Sequence, residues 1–308
     1  FLSGFELVSL INKINAPTFL FQLKDGDELH FIHKGEGRFE CDFGAMTFEP
    51  GDYILIPKGT NYRFVYMTSD NFSLITETKT PFEFPERGVL GLQAPFDFSI
   101  LETPEPAPVT ESDQKEWELR IKKQGEYTSV FYPFCPMDVV GWQGCLSVVK
   151  LNTRDLCAIM SHRVHLPPSA HCTFQTKGVY VCTFTPRPYE SDPSVERVPW
   201  SHRNIDFDEV FFTHSGEFTL ARKAGSKSAA TGRMSLNPAG LHHGPQPGVL
   251  DNARKNWIKD AKIEFTAINI DTELPLAMTD AAKKIEDQDH WMAWIPKTKN
   301  TGSETESA

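Results

Sequence analysis

Apolar positions in this chain come in short runs rich in β-branched and aromatic residues. Examples are residues 53–56, 179–184, 210–212 and 263–270. Gly, Pro, Asn and Asp punctuate these runs, the pattern of an all-β sandwich or barrel. A helical pattern is scarce and is clearest over 280–289, with Thr279 as the expected N-cap. Residues 103–108 hold three prolines. Proline cannot donate to a sheet ladder, so this segment is expected to be a connector. The tail after Pro296 is polar and small and is expected to be disordered.

The pattern occurs twice. Residues 27–36 resemble residues 208–217, and the register extends without gaps beyond them. Glu28 maps to Glu209, His33 to His214, Gly35 to Gly216, Gly51 to Gly232, Pro57 to Pro238 and Gly59 to Gly240. One β-unit has therefore been duplicated within the chain. The expected organisation is an N-terminal barrel over 1–110, a C-terminal barrel over 111–275, and a helix with its tail over 276–308.

Length and charge narrow the classes. A chain of 308 residues with 23 Phe can bury a sizeable core. Its formal charge of −10, with no long basic run, argues against nucleic acid or an anionic membrane surface as a partner. No apolar stretch approaches the roughly 20 residues of a membrane span, so the cytoplasm is the default expectation. The six cysteines lack a C-x-x-C pair and read as reduced thiols. The chain starts at Phe1 in mid-pattern, which leaves room for trimmed residues ahead of it.

Each copy resembles the two signature motifs of the cupin barrel: a His/Glu strand ending in Gly, then Gly-x5-Pro-x-Gly-x2-His. The expected fold is therefore a bicupin, two jelly-roll barrels with few helices. In the second copy the motifs supply His202, Glu209 and His243. Tight turns would aim these three inward from neighbouring strands. Two imidazoles and a carboxylate on one face leave about three open coordination positions, as in non-haem Fe(II) oxygenases. In the first copy His202 corresponds to Phe21 and His243 to Tyr62, so only Glu28 remains. That barrel is expected to be metal-free and structural. Asp208 and His242 neighbour ligands and, by strand alternation, are expected to point away from them. His214, having His33 as its counterpart, is expected to pack. Asn204 could be a weak ligand or a hydrogen-bonding neighbour of the ligands. The cluster His162, His165 and His171 lacks a completing ligand but could line the pocket, where a histidine suits acid–base work.

Residues 136–144, 164–168, 201–204 and 243–245, with 25–29 and 50–53 in the first barrel, resemble segments of homogentisate 1,2-dioxygenase and its smaller bacterial relatives. The resemblance implies an Fe(II) enzyme that opens the ring of a para-dihydroxylated aromatic acid with O2. It implies His202, Glu209 and His243 as iron ligands and His165, with His171 as the alternative, as the catalytic acid–base. Asn204 and His242 are the expected substrate contacts, and Phe211 and Trp200 the expected apolar walls. There are departures. The His202–Glu209 spacing is one residue longer than in the animal-type enzyme, and Phe218 stands near the position of its substrate-binding tyrosine. The N-terminus is shorter, leaving room for a small partner subunit, as in two-component hydroquinone dioxygenases; otherwise a homo-oligomer is expected. Two other readings compete: cleavage of hydroquinone or another diol, and a non-catalytic bicupin binding a metal or small ligand.

Overall fold

The structure, a computed structural model, describes residues 5–12, 19–86, 95–109, 114–137, 146–197, 200–217 and 230–295. The expected tail, Phe218 and residues 138–144 of the family-like segment 136–144 lie outside them.

The first barrel is a sandwich of two sheets. One contains β1 (Phe5–Asn12), β3 (Asp27–Lys34), β6 (Asp52–Ile56), β8 (Asn71–Thr78) and β11 (Val149–Asn152), in the order β1-β8-β3-β6-β11. The other contains β2 (Phe19–Leu23), β4 (Gly37–Cys41), β5 (Gly44–Phe48), β7 (Tyr62–Tyr66), β9 (Trp117–Lys123) and β10 (Glu126–Tyr132), in the order β10-β9-β2-β7-β4-β5. Between the sheets pack Ile32, Phe39, Phe48, Ile54, Ile56 and Phe64.

The second barrel is built on a five-stranded sheet ordered β12-β13-β18-β15-β16: β12 (Cys172–Thr176), β13 (Val179–Phe184), β15 (Asp208–Ser215), β16 (Met234–Asn237) and β18 (Thr266–Thr272). A small sheet pairs β14 (Arg187–Pro188) with β17 (Lys262–Ile263). The two described α-helices are short, α1 (Val249–Lys255) and α2 (Asp280–Ile285). Thr279 caps α2 as expected, its side chain accepting from Ala282 N at 3.2 Å, but the helix ends before residue 289. The fold is all-β, and no described helix is long and apolar enough to cross a membrane.

The largest core lies between the barrels. Leu29, Phe31, Tyr53, Leu55 and Leu74 from the first five-stranded sheet meet Phe174, Val181, Val210, Phe212, Ile268 and Ile270 from the second. Strand β3 is thus buried on both faces, which explains its near-continuous burial despite carrying Glu28, His30 and His33.

The duplication holds bond by bond. Phe21 pairs with Tyr62, and His202 pairs with His243 in the same antiparallel sense. Gly59 N donates to Leu23 O at 2.9 Å, and Gly240 N donates to Asn204 O at 2.7 Å. Asp27 accepts from Lys58 N, and Asp208 from Ala239 N, so Asp208 anchors a turn, as its place in the pattern suggests. Gly35 and Gly216 both have φ in the left-handed region. A Cβ would fall 2.0 Å from Asn71 Oδ1 at the first and 2.1 Å from Glu264 O at the second, which is why glycine ends both motif strands. His33 and His214 touch: their Nδ1 atoms are 3.0 Å apart, joining equivalent positions of the two copies. Their expected packing role becomes a contact between the barrels.

The division at 110/111 does not follow the sheets. Strands β9 and β10 continue the first barrel beside β2, and β11 pairs with β6. The first unit therefore runs through Asn152. The proline-rich segment lies across it as a connector, with Glu102 bridging Lys150 and Glu105 bridging Ala45.

Candidate metal centre

In the second barrel, rows of side chains alternate between the inter-barrel core and the barrel interior. Val210 and Phe212 of β15 enter the core, so Glu209 and Phe211 face the interior. Opposite Glu209 stands Asp271 on β18, and on its other side Asn237 on β16. Facing this sheet, His202 and His243 form a two-residue antiparallel bridge. His202 N donates to His243 O at 2.9 Å, and His243 N donates to His202 O at 2.8 Å. Residues directly opposite in such a pair share a face, and their rings are 4.5 Å apart between centroids.

Candidate ligand atoms of His202, Glu209 and His243 all lie within 4.8 Å of one another, the three side chains partly buried. Backbone carbonyls set both imidazoles. His202 Nδ1 donates to Trp200 O at 2.9 Å, and His243 Nδ1 donates to Leu241 O at 3.0 Å. A carbonyl only accepts, so Nδ1 carries the proton and Nε2 keeps a free lone pair. Glu209 is held too: Asn237 Nδ2 donates to Oε1 at 2.7 Å and Asn204 Nδ2 to Oε2 at 3.4 Å.

These residues fit a divalent transition metal. His243 Nε2 is buried without a hydrogen-bond partner and lies 3.7 Å from Glu209 Oε1. A buried polar atom left unpaired is costly; a metal ion would satisfy it. Burial and the adjacent Glu209 charge push Asp271 up to about 7. Two imidazoles and a carboxylate are the donor set of non-haem iron sites.

The other expected residues divide. Asn204 is brought to the cluster through Glu209. His242 is exposed, and alternation in the bridge turns it away from the face of His243, so the expected substrate contact is not supported. His165 Nδ1 sits 3.0 Å from Glu190 Oε1. His171 is buried at the end of a 3-10 turn over Pro168–His171. Burial, then the charges of Arg187 and His165, pull its pKa down to about 3. It therefore stays neutral at ordinary pH. Its ring lies 5.0 Å from that of Phe184, which lies 6.0 Å from Phe211. Phe211 is two residues along β15 from Glu209, so tilted ring contacts run from His171 toward the strand that carries Glu209.

Sequence reasoning missed Asn237, Asp271, Glu190 and Arg187. Asp271 was within reach, since Ala267, Asn269 and Asp271 alternate with Ile268 and Ile270. Asn237 precedes the motif's Pro238 and carries a weaker signal.

Comparison with known proteins follows the same line. A family model described as homogentisate 1,2-dioxygenase N-terminal matches residues 8–152, the unit that the sheets define. A protein of Saccharolobus solfataricus described as "Putative dioxygenase SSO1533" is 29% identical over 272 residues, covering 88% of this chain and 68% of that protein. Homogentisate 1,2-dioxygenase of Nitrobacter hamburgensis is 27% identical over 271 residues, covering 85% of this chain. The chain spans only 59% of that enzyme's length. Among solved structures, a cupin 2 conserved barrel domain protein from Leptotrichia buccalis aligns over 87% of this chain and 89% of its own, at 12% identity and a TM-score of 0.32. Protein Ylba from E. coli aligns over 90% of this chain and 80% of its own, at 9% identity and a TM-score of 0.35. At these scores the fold rests on the strand pairing above. The first unit thus matches a homogentisate 1,2-dioxygenase family model, and most of the chain is similar to dioxygenases at under 30% identity.

Proposed function

We propose that the protein is a non-haem Fe(II) dioxygenase that opens the ring of a para-dihydroxylated aromatic compound, homogentisate or a close analogue, with O2. The observation that carries this reading is the cluster of His202, Glu209 and His243, with His243 Nε2 buried and unpartnered, in a chain similar to dioxygenases of this kind. When bound, Fe(II) would supply a Lewis acid for a ring hydroxyl and an electron source for O2.

The protein's own residues prepare that chemistry. The carbonyls of Trp200 and Leu241 hold the two imidazoles in the tautomer that presents Nε2. Asn237 and Asn204 fix both oxygens of Glu209, so the carboxylate need not reorganise. His165 is the acid–base group. Glu190 accepts from its Nδ1–H, which leaves Nε2 free to take the proton of a ring hydroxyl. Glu190 is 8% exposed, so this pair keeps its geometry away from competing water. The apolar face of Phe211 would accommodate the ring.

The test is iron loading under anaerobic conditions, followed by oxygen-electrode assays with homogentisate and with hydroquinone. The expected result is one O2 consumed per homogentisate and a ring-opened product. An iron-loaded protein that consumes no O2 with either compound would contradict the proposal.

A further inference from the structure

The C-terminal segment beyond β18 is fastened at two points to elements that carry the candidate ligands. Its start is held by Asp208, the neighbour of Glu209 on β15. Asp208 is 5% exposed; its Oδ1 accepts from Ala239 N at 2.6 Å and its Oδ2 from Leu276 N at 2.6 Å. One carboxylate thus joins the motif strand, the turn that leads to His243 and the first residues after β18. The first barrel has the same fastening, Asp27 accepting from Lys58 N at 2.9 Å and from Phe82 N at 3.0 Å. This pin therefore belongs to the duplicated scaffold. The second pin lies beside a ligand. Trp294 Nε1 donates to Gly244 O at 2.9 Å, and Gly244 directly follows His243.

Between the pins the segment buries few side chains of its own. Leu276 packs against the inter-barrel core. From Ala277 to Ile295 the side chains are exposed except those of Ala282, His290 and Trp294, which are partly buried. Helix α2 has six residues, too few to be stable without tertiary support. The indole of Trp294 meets the ring of His290 edge-on, 5.0 Å between centroids. An indole N–H can only donate, so its bond fixes the Gly244 carbonyl and the peptide that follows His243. The backbone has little slack there, since a Cβ at Gly244 would fall 2.6 Å from Ser201 Cα, next to His202.

We infer that residues 276–295 form a strap that supports the metal centre, with Trp294 as the positioning residue for His243. The inference rests on the metal-centre reading and extends it to a part of the chain outside the barrels. Coupling of this kind is reciprocal. If the docked strap favours the ligating arrangement of His243, a bound metal favours the docked strap by the same factor. A neutral hydrogen bond supports a factor of about 3 to 10.

The first test needs no variant. The wild-type protein is digested briefly with trypsin, with and without Co(II), and the fragments are identified by mass spectrometry. Cleavage at Lys283 and Lys284 of the strap reports on its open population. Co(II) is expected to slow it about 3- to 10-fold, while cleavage at the exposed Lys123 in the first barrel keeps its rate. Equal slowing at both places, or none in the strap, would overturn the inference. The second test measures Co(II) affinity by dye competition, with the visible Co(II) spectrum and the melting temperature of the metal-free protein alongside. Trp294→Phe keeps a ring and loses the N–H. It should weaken Co(II) by the same factor, alter the spectrum, leave the melting temperature nearly unchanged and abolish the slowing in the strap. Trp291→Phe, at an exposed position of the same turn, should match the wild type in all of these. An unchanged affinity in Trp294→Phe, or an equal loss in Trp291→Phe, would overturn the inference while leaving the metal centre standing. A wild-type protein that binds no Co(II) and no Fe(II) would sink the metal centre and the strap's role together.

Discussion

At positions 28 and 209 the chain sets the same glutamate on the same strand of a duplicated unit, and the two carboxylates meet different company. Glu28 is 2% exposed and accepts from the Tyr62 hydroxyl at 3.0 Å through both oxygens, with His30 Nε2 3.6 Å away. Glu77, on the strand beside it, is paired with Lys122 at 2.7 Å. Glu209 faces two imidazoles instead, one of them with an unpartnered nitrogen. Its neighbour Asp271 has Asn269 as a hydrogen-bond donor and no lysine or arginine in ion-pair contact among the described residues. The first barrel fills its polar interior with its own hydroxyl and its own cation. The second leaves both roles to something from outside. Strand order and turn geometry are shared, so at the candidate cluster the two units differ in two side chains, Phe21 against His202 and Tyr62 against His243.

The comparison can be sharpened by moving those side chains. In the double variant Phe21→His, Tyr62→His, three ligands stand around Glu28 as they stand around Glu209. The expected outcome is a second equivalent of transition metal per chain by elemental analysis, bound more weakly because Lys122 lies nearby. Unchanged stoichiometry in a folded variant would mean that the two interiors differ in more than ligands.

The contact between the copies gives a pH test. Burial lowers the pKa of both His33 and His214 to about 4, against about 6.5 in an unfolded chain. As pH falls from about 6.5 to about 4, the unfolded chain takes up protons that the folded chain does not. Stability is therefore full above pH 6.5 and declines through that window. One histidine shifted this far is worth on the order of 3 kcal/mol once fully titrated. Because the two share a hydrogen bond, the pair should contribute less than twice that. Urea midpoints measured from pH 7.5 to 4.5 should show the decline, and His33→Gln should flatten it.

The smallest effect concerns support of the ligands. Asn237 holds Glu209 at 2.7 Å; its counterpart in the first barrel is Ile56. Asn237→Ala is expected to weaken metal affinity about 10- to 100-fold, the usual cost of losing such an outer contact, with the melting temperature nearly unchanged. Competition with a metal-sensitive dye would measure it.

The duplication and the three-residue cluster were legible in sequence because their signals are local. Glycines with positive φ and motif prolines fix the turns, and strand alternation then decides which side chains share a face. That logic also separated His243 from His242 and Asp208 from Glu209. The boundary between the barrels was not legible. Strands β9 and β11 pair with strands about 100 residues earlier, and β10 follows β9, a pairing no local pattern announces. The same applies to Glu190 and Arg187. Each looks like an ordinary loop charge until folding buries it beside His165 or Phe184.

The most direct measurement is iron content after anaerobic loading and desalting, on the wild-type protein, His202→Ala and Tyr62→Ala in parallel, with circular dichroism to establish folding. The account predicts one iron per chain in the wild type, none in His202→Ala and one in Tyr62→Ala. Iron retained by folded His202→Ala, or lost from folded Tyr62→Ala, would contradict it.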